Sequence, residues 1–316
     1  MSVLLLATSG GHLEELYQLR PRLVGVDLSR THWVTYDTPQ SRSLLQGEDV
    51  TYVREAQTRD LRTVLTNIAP AVRVLRARRV RTIVTTGAQI ALSFAPPASL
   101  LGIRLHFIES AARIEAPSLS GRLIARLPRV VFYTQYPQLA KRRVFYRGSV
   151  LDGFVPAPSP PPSRIRRAVV TVGTVPYGFR RLLERAVQIL PPEAEVLWQT
   201  GGTDVSGLPL RAQPFLASDE LAAAIRRADT VITHAGVGTI LVALAAHKCP
   251  IVVPRLRAFG ENIDDHQRET AEEFGRQGLV LSRTVRSLTP DDLDLAASHR
   301  IEANRSPPPF ELVTPG

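Results

Sequence analysis

The chain has 316 residues, 44% hydrophobic and 22% charged, with a single cysteine, Cys249. Those proportions exclude disordered and fibrous classes, and one cysteine excludes a disulfide framework or a cysteine-based metal site. The net charge of +10 is uneven: residues 1–155 carry 21 Lys and Arg against 11 Asp and Glu, residues 156–316 carry 18 against 18.

Such asymmetry points to an anionic partner for the first half alone, or to a solvated basic face. In chain order, residues 3–7 read as a strand entering the glycine turn Thr8-Ser9-Gly10-Gly11-His12, not as a signal peptide. A helix follows from about residue 13. Residues 32–36, 82–85, 105–108 and 130–133 are short apolar strands, and the arginine-rich stretch 60–79 reads as one helix containing Pro70. The proline-rich stretch 155–163 is expected to pair with no sheet and to act as a stiff linker. Beyond it, strands at 168–172, 195–199, 230–233 and 251–253 alternate with helices at 179–189, 218–227, 238–246 and 265–277. The proline cluster 307–309 marks a C-terminal tail.

Continuous apolar strands separated by helices predict parallel sheets covered on both faces. The expected class is α/β, with two Rossmann-like domains, 1–155 and 156–316, facing across a cleft. No apolar run approaches a membrane span, and a cytoplasmic compartment is expected.

Glycine-rich turns end several strands. Besides Ser9-Gly10-Gly11-His12 these are Val172-Gly173-Thr174, Thr200-Gly201-Gly202-Thr203 and His234-Ala235-Gly236-Val237-Gly238-Thr239. Glycines at such places let a backbone approach a phosphate at a helix start; equally, each is simply a tight turn. Neither GxGxxG with its acidic partner nor GxxxxGK[ST] occurs, which argues against nicotinamide cofactors and P-loop nucleotidases.

In their joint order, these motifs resemble the MurG-like glycosyltransferases of GT-B fold. The chain looks like a fusion of the acceptor and donor subunits of the dolichol-pathway N-acetylglucosaminyltransferase and of the bacterial PssD/PssE and EpsE/EpsF pairs. The first half matches the acceptor subunit through Ser9–Leu16, Ile108-Glu109-Ser110-Ala111-Ala112-Arg113, Ser118–Leu123 and Gln135–Leu139. The second half matches the donor subunit through the Gly173 and His234–Thr239 turns, Tyr177–Leu182, Ile251–Arg255 and Gly260–Gln267.

The resemblance implies inverting transfer from a UDP-sugar to a polyprenyl-diphosphate-linked saccharide, without a cofactor or a metal. It implies a donor site of Gly173, Thr174, Gly201, Gly202, Leu216, His234, Gly236, Gly238, Thr239, Arg255, Asn262, His266 and Gln267. On the acceptor side it implies Ser9, Gly10, Gly11 and Arg113, with His12 or Glu109 as general base. Where the family has a ribose-binding glutamate, this chain has Val242. Basic residues Arg122, Arg126, Arg129, Lys141, Arg142 and Arg143 among Leu123, Ile124, Leu127 and Phe145 suit an anionic inner plasma-membrane surface or an amphipathic helix packed on its sheet. No nucleic-acid-binding motif is present, so nucleic acid is not an expected partner. Two other classes stay open: a UDP-sugar 2-epimerase-like enzyme on the same fold, and a degenerate, non-catalytic binding protein.

Overall fold

The computed structural model describes residues 2–56, 60–157, 164–174 and 177–313. The chain forms two compact units: Met1–Asp152 with Pro307–Gly316, and Gly153–Ser306.

The first unit contains strands β1 Ser2–Ala7, β2 Leu23–Val24, β3 Thr31–Tyr36, β4 Val50–Val53, β5 Val80–Gly87, β6 Arg104–Ile108, β7 Val130–Thr134 and β8 Val144–Tyr146. Its helices are α1 Gly11–Leu19, α2 Pro39–Leu44, α3 Leu61–Thr66, α4 Ile68–Ala77, α5 Gln89–Leu100 and α6 Leu119–Ile124. Seven strands form one parallel sheet in the order β4-β3-β1-β5-β6-β7-β8. Leu4, Leu5 and Leu6 are fully buried, as an apolar strand covered on both faces must be.

The second unit contains β9 Phe154–Ala157, β10 Arg167–Thr171, β11 Glu195–Gln199, β12 Ala212–Gln213, β13 Thr230–His234, β14 Ile251–Val253, β15 Leu281–Ser282 and β16 Arg300–Ala303. Its helices are α7 Arg180–Ile189, α8 Ser218–Arg227, α9 Val237–Ala245, α10 His266–Arg276 and α11 Asp291–Ser298. Six strands form a parallel sheet in the order β12-β11-β10-β13-β14-β15.

Both sheets reverse their winding once, between β1 and β5 in the first and between β10 and β13 in the second. Crevices outside the carboxyl ends of strands at such reversals are where open α/β sheets bind ligands. The glycine turns after β1, β10 and β13 therefore occupy the positions that topology favours.

Three expectations are corrected. The predicted helix at 60–79 is two helices, α3 and α4, parted at Asn67, whose side chain donates to the Arg54 carbonyl at 2.8 Å. Pro70 falls in the first turn of α4, where a missing N–H breaks no intrahelical bond. Of the predicted linker, residues 158–163 lie outside the described residues, but Phe154–Ala157 does pair, antiparallel with β16. Pro156, opposite Ile301, is tolerated because the ladder has only two strands and an outer edge.

The third correction concerns the tail, assigned by the sequence to the second domain. Phe310–Glu311 (β17) pairs with β2, and Phe310 is buried against Tyr133 with ring centroids 5.5 Å apart. Val313 N donates to the Tyr133 hydroxyl at 2.8 Å, and Arg22 Nε donates to the Pro308 carbonyl at 3.1 Å. Burial of Phe310 and Leu312 returns the tail to the first unit.

Candidate functional site

In the second unit the glycine turns enclose His234, the last residue of β13. A Cβ at Gly173, where φ is +74°, would sit 2.6 Å from His234 Cε1; one at Gly236 would sit 2.2 Å from His234 Nε2. A Cβ at Gly201 would sit 2.4 Å from the Gly173 carbonyl oxygen. Only glycine allows these turns to close on the imidazole and on one another. Burial, and then the nearby Arg255 cation, push His234 down to about 3, so it is neutral at physiological pH. Immediately after it, α9 begins at Gly236 without a side-chain cap. The first-turn amides of Val237, Gly238 and Thr239 thus remain available as donors at the positive end of the helix.

The supporting residues have partly different work from that expected. Arg255 is wholly buried, and its guanidinium donates to the carbonyls of Val172, Tyr177 and Glu261. It fixes the Gly173 turn from behind. Gln267 is also buried, and its Oε1 accepts from Arg255 N at 3.1 Å, tying α10 to the loop after β14. His266 pairs through Nδ1 with Asp264, and Asn262 Oδ1 accepts from Ile263 N at 2.9 Å. Thr174 and Gly202 are exposed; Gly201, Gly238, Thr239 and Leu216 are half-buried. Val242 packs in the apolar seam of Val169, Ile225, Ala228, Val231 and Ala243.

Sequence reading assigned no role to Glu261 or Thr203. Glu261 holds Arg181 through two hydrogen bonds of 2.8 and 2.9 Å and accepts from Leu256 N; Thr203 Oγ1 accepts from Phe179 N at 3.1 Å. Both lie inside motifs already singled out, but nothing in their spacing shows what they hold.

In the first unit, four separate sequence motifs meet in one hydrogen-bond network. Glu109, at the end of β6, is buried; Oε2 accepts from Ser118 N at 2.8 Å and Ser118 Oγ at 3.0 Å, Oε1 from Ser110 N at 3.1 Å. Burial raises its pKa against the opposing effect of the Ser118 bonds. Gln135 Nε2 donates to the Glu109 carbonyl at 3.0 Å, and the Tyr136 hydroxyl donates to the Ala111 carbonyl. Glu15, from α1, accepts from Ser110 Oγ. Glu109 is thereby committed to holding the Ser110–Ser118 turn. His12 sits half-buried in the first turn of α1, which starts at Gly10 (φ +91°) without a side-chain cap. Thr86 Oγ1 donates to the His12 carbonyl at 2.7 Å. Ser9, Gly11 and Arg113 are half-buried, and Arg113 N donates to the Ser110 carbonyl at 2.9 Å.

The basic stretch divides by exposure. Arg122, Arg126, Arg129, Lys141, Arg142 and Arg143 are exposed, as are Leu119 (67%) and Leu123 (45%). Ile124 is instead a core residue, with Leu127 packed against that core. Among the described residues, no helix is long and apolar enough to cross a membrane.

Two parallel sheets of this kind, each with a glycine turn at its winding reversal, define the class: the chain has the GT-B fold. Solved structures similar to it include MurG of Acinetobacter baumannii (TM-score 0.55, 20% identity, 93% of this chain and 88% of that one). The UDP-GlcNAc 2-epimerase from Methanocaldococcus jannaschii is similar too (TM-score 0.56, 11% identity, 99% and 96%). At such identities the likeness concerns the fold.

The sequence narrows this further, since residues 167–306, within the second unit, match the Glycosyltransferase family 28 C-terminal domain. The UDP-N-acetylglucosamine--N-acetylmuramyl-(pentapeptide) pyrophosphoryl-undecaprenol N-acetylglucosamine transferase of Xylella fastidiosa is 28% identical over 236 residues, 69% of this chain and 62% of that enzyme. The UDP-N-acetylglucosamine transferase subunit ALG13 of Yarrowia lipolytica is 43% identical over 67 residues, 21% of this chain and 32% of that subunit. The chain thus spans 62% or less of the length of these curated relatives.

Proposed function

We propose that this chain is an inverting glycosyltransferase that moves a sugar from a UDP-sugar to a polyprenyl-diphosphate-linked saccharide. The second unit holds the donor and the first presents the acceptor hydroxyl. The observation that carries the reading is the closure of the Gly173 and Gly236 turns on His234 at a winding reversal, within the segment that matches the family 28 C-terminal domain. UDP-N-acetylglucosamine is the first donor to test, because the curated relatives' names carry it.

In this reaction negative charge grows on the β-phosphate as the glycosidic bond breaks. The uncapped first turn of α9 and the amides of the Gly173–Thr174 turn stabilise that charge as preorganised donors, a chemistry that itself calls for no cofactor. The neutral His234 adds no cation; its neighbours gain a rigid wall. His266, Gln267 and Asn262 meet the donor sugar, Leu216 borders the base, and ribose recognition falls to groups other than the apolar Val242. Arg255 acts by shaping the Gly173 turn. His12 takes the proton from the acceptor hydroxyl, since the Glu109 oxygens already accept bonds from the Ser110–Ser118 turn. Ser9, Gly10, Gly11 and Arg113 meet the acceptor diphosphate.

The exposed Leu119 and Leu123 beside Arg122 and Arg126 support peripheral attachment to the anionic inner face of the plasma membrane, in polysaccharide or glycolipid biosynthesis. The test is UDP release over a set of UDP-sugars, with and without a polyprenyl-diphosphate-saccharide. Acceptor-dependent release is expected. The fold likeness to a 2-epimerase keeps a second reading in the test: interconversion of the UDP-sugar without acceptor would replace the transferase reading. UDP binding with neither reaction would mark a degenerate binding protein.

A further inference from the structure

The proposed mechanism leaves one buried acid unused. Glu15 lies on α1, one turn after His12 and on the same helical face. It is fully buried. Its Oε1 accepts from Ser110 Oγ at 2.8 Å and from Ala111 N at 3.1 Å, while Oε2 is buried without a hydrogen-bond partner. An ionised carboxylate with one oxygen so placed is strongly disfavoured unless a cation pairs with it, and no ion pair to Glu15 occurs among the described residues. Of the titratable groups around it, Glu14 and the half-buried His12 share its helix, Glu109 reaches the same Ser110 from β6, and Arg113 follows in the same turn, where its charge acts on Glu109. Burial, reinforced by Glu109 and opposed by the two hydrogen bonds, pushes Glu15 up to about 8. At neutral pH it carries its proton.

We infer that Glu15 is a positioning residue for the acceptor side: through its bonds to Ser110 and Ala111 it clamps the helix that carries His12 to the turn that carries Arg113. This rests on the reading of His12 and Arg113 given above. The clamp joins two segments 95 residues apart in sequence, and Thr86 fixes the same helix through the His12 carbonyl. Neutrality has a chemical benefit. A full negative charge one helical turn from the imidazole would raise its pKa and leave less of it unprotonated at neutral pH; a neutral acid places no such charge there.

The test uses the full chain with Glu15→Gln, Glu15→Ala and Ser110→Ala. Glutamine keeps the accepting oxygen, so Glu15→Gln should retain near-wild-type turnover. Glu15→Ala and Ser110→Ala should lower turnover by about tenfold or more, with UDP affinity unchanged. The infrared stretch of a protonated carboxyl, present in the wild type at neutral pH, should be missing from Glu15→Gln. Wild-type turnover in Glu15→Ala, equal impairment in Glu15→Gln and Glu15→Ala, or no infrared difference would each overturn the inference. If Glu15→Ala fails to fold, Ser110→Ala decides, because it leaves Glu15 in place. A wild type that releases no UDP from any donor would overturn the proposed reaction. The infrared band, and faster amide exchange at Ala111 in Ser110→Ala, would still test the clamp by themselves.

Discussion

Each unit has a buried ionisable group next to its glycine turn, and burial discharges them in opposite directions. In the first unit it lifts Glu15 to about 8; in the second it drops His234 to about 3. Both are neutral at pH 7, one as an acid and the other as a base. Charge for holding an anion must therefore come from elsewhere. The second unit, close to neutral overall, has the uncapped amides of α9; the first holds nearly all of the chain's basic surplus, on exposed side chains such as Arg122 and Arg126. One unit suits a small phosphate ligand held by backbone, the other a broad anionic surface.

That contrast breaks most directly through a pair of substitutions. His12→Ala should lower turnover by on the order of 100-fold or more, the usual scale for losing a general base, and leave UDP affinity unchanged. Gly236→Ala should do the reverse: its Cβ would lie 2.2 Å from His234 Nε2, so the turn must move. An overpacking cost of about 3 kcal/mol, directed at the donor turn, corresponds to about 100-fold weaker UDP binding. Steady-state kinetics beside calorimetry separate the two. Equal loss of UDP affinity in both variants would dissolve the division of labour.

Much of this arrangement is legible in the sequence, because its causes are local. Buried strands such as Leu4-Leu5-Leu6 announce a two-sided parallel sheet, and the turns at Gly10, Gly173 and Gly236 stand at strand ends. What each side chain does there depends on partners brought together by the fold. Arg255 reads as a cation for phosphate, yet it is enclosed and bonded to three carbonyls. Glu109 reads as a base, yet its oxygens anchor Ser110 and Ser118. Phe310 lies after a proline cluster that resembles a frayed end, and only the pocket beside Tyr133 shows why it returns. Residue type was visible; the partner using up its hydrogen-bonding capacity was not.

The opposed titrations give a smaller effect with a definite sign. Between the ordinary carboxylate range and pH 8, folded Glu15 keeps a proton that the unfolded chain has released, so stability falls as pH rises. Between pH 6.5 and about 3, the unfolded chain protonates His234 while the folded state does not, so stability falls as pH drops. The two tryptophans, Trp33 in the first unit and Trp198 in the second, allow the slopes to be read separately. Denaturant unfolding of Trp198→Phe, followed by Trp33 fluorescence, should show the alkaline-side decline, and adding Glu15→Gln should flatten it. An unchanged slope would mean that Glu15 is ionised in the folded state.

The smallest expected effect concerns the basic surface. Arg122 and Arg126 flank the exposed Leu123 on and just after α6, and a cation near an anionic bilayer contributes about 1 kcal/mol. Replacing both by alanine should weaken partition onto anionic vesicles by on the order of tenfold, and high salt should erase the difference. Leu123→Ser should weaken partition as well, but by an amount that salt leaves in place, because apolar burial is not screened. The two responses distinguish a headgroup-seeking surface from a merely solvated one. Salt-insensitive partition in the wild type would assign the surplus charge of the first unit to solubility alone.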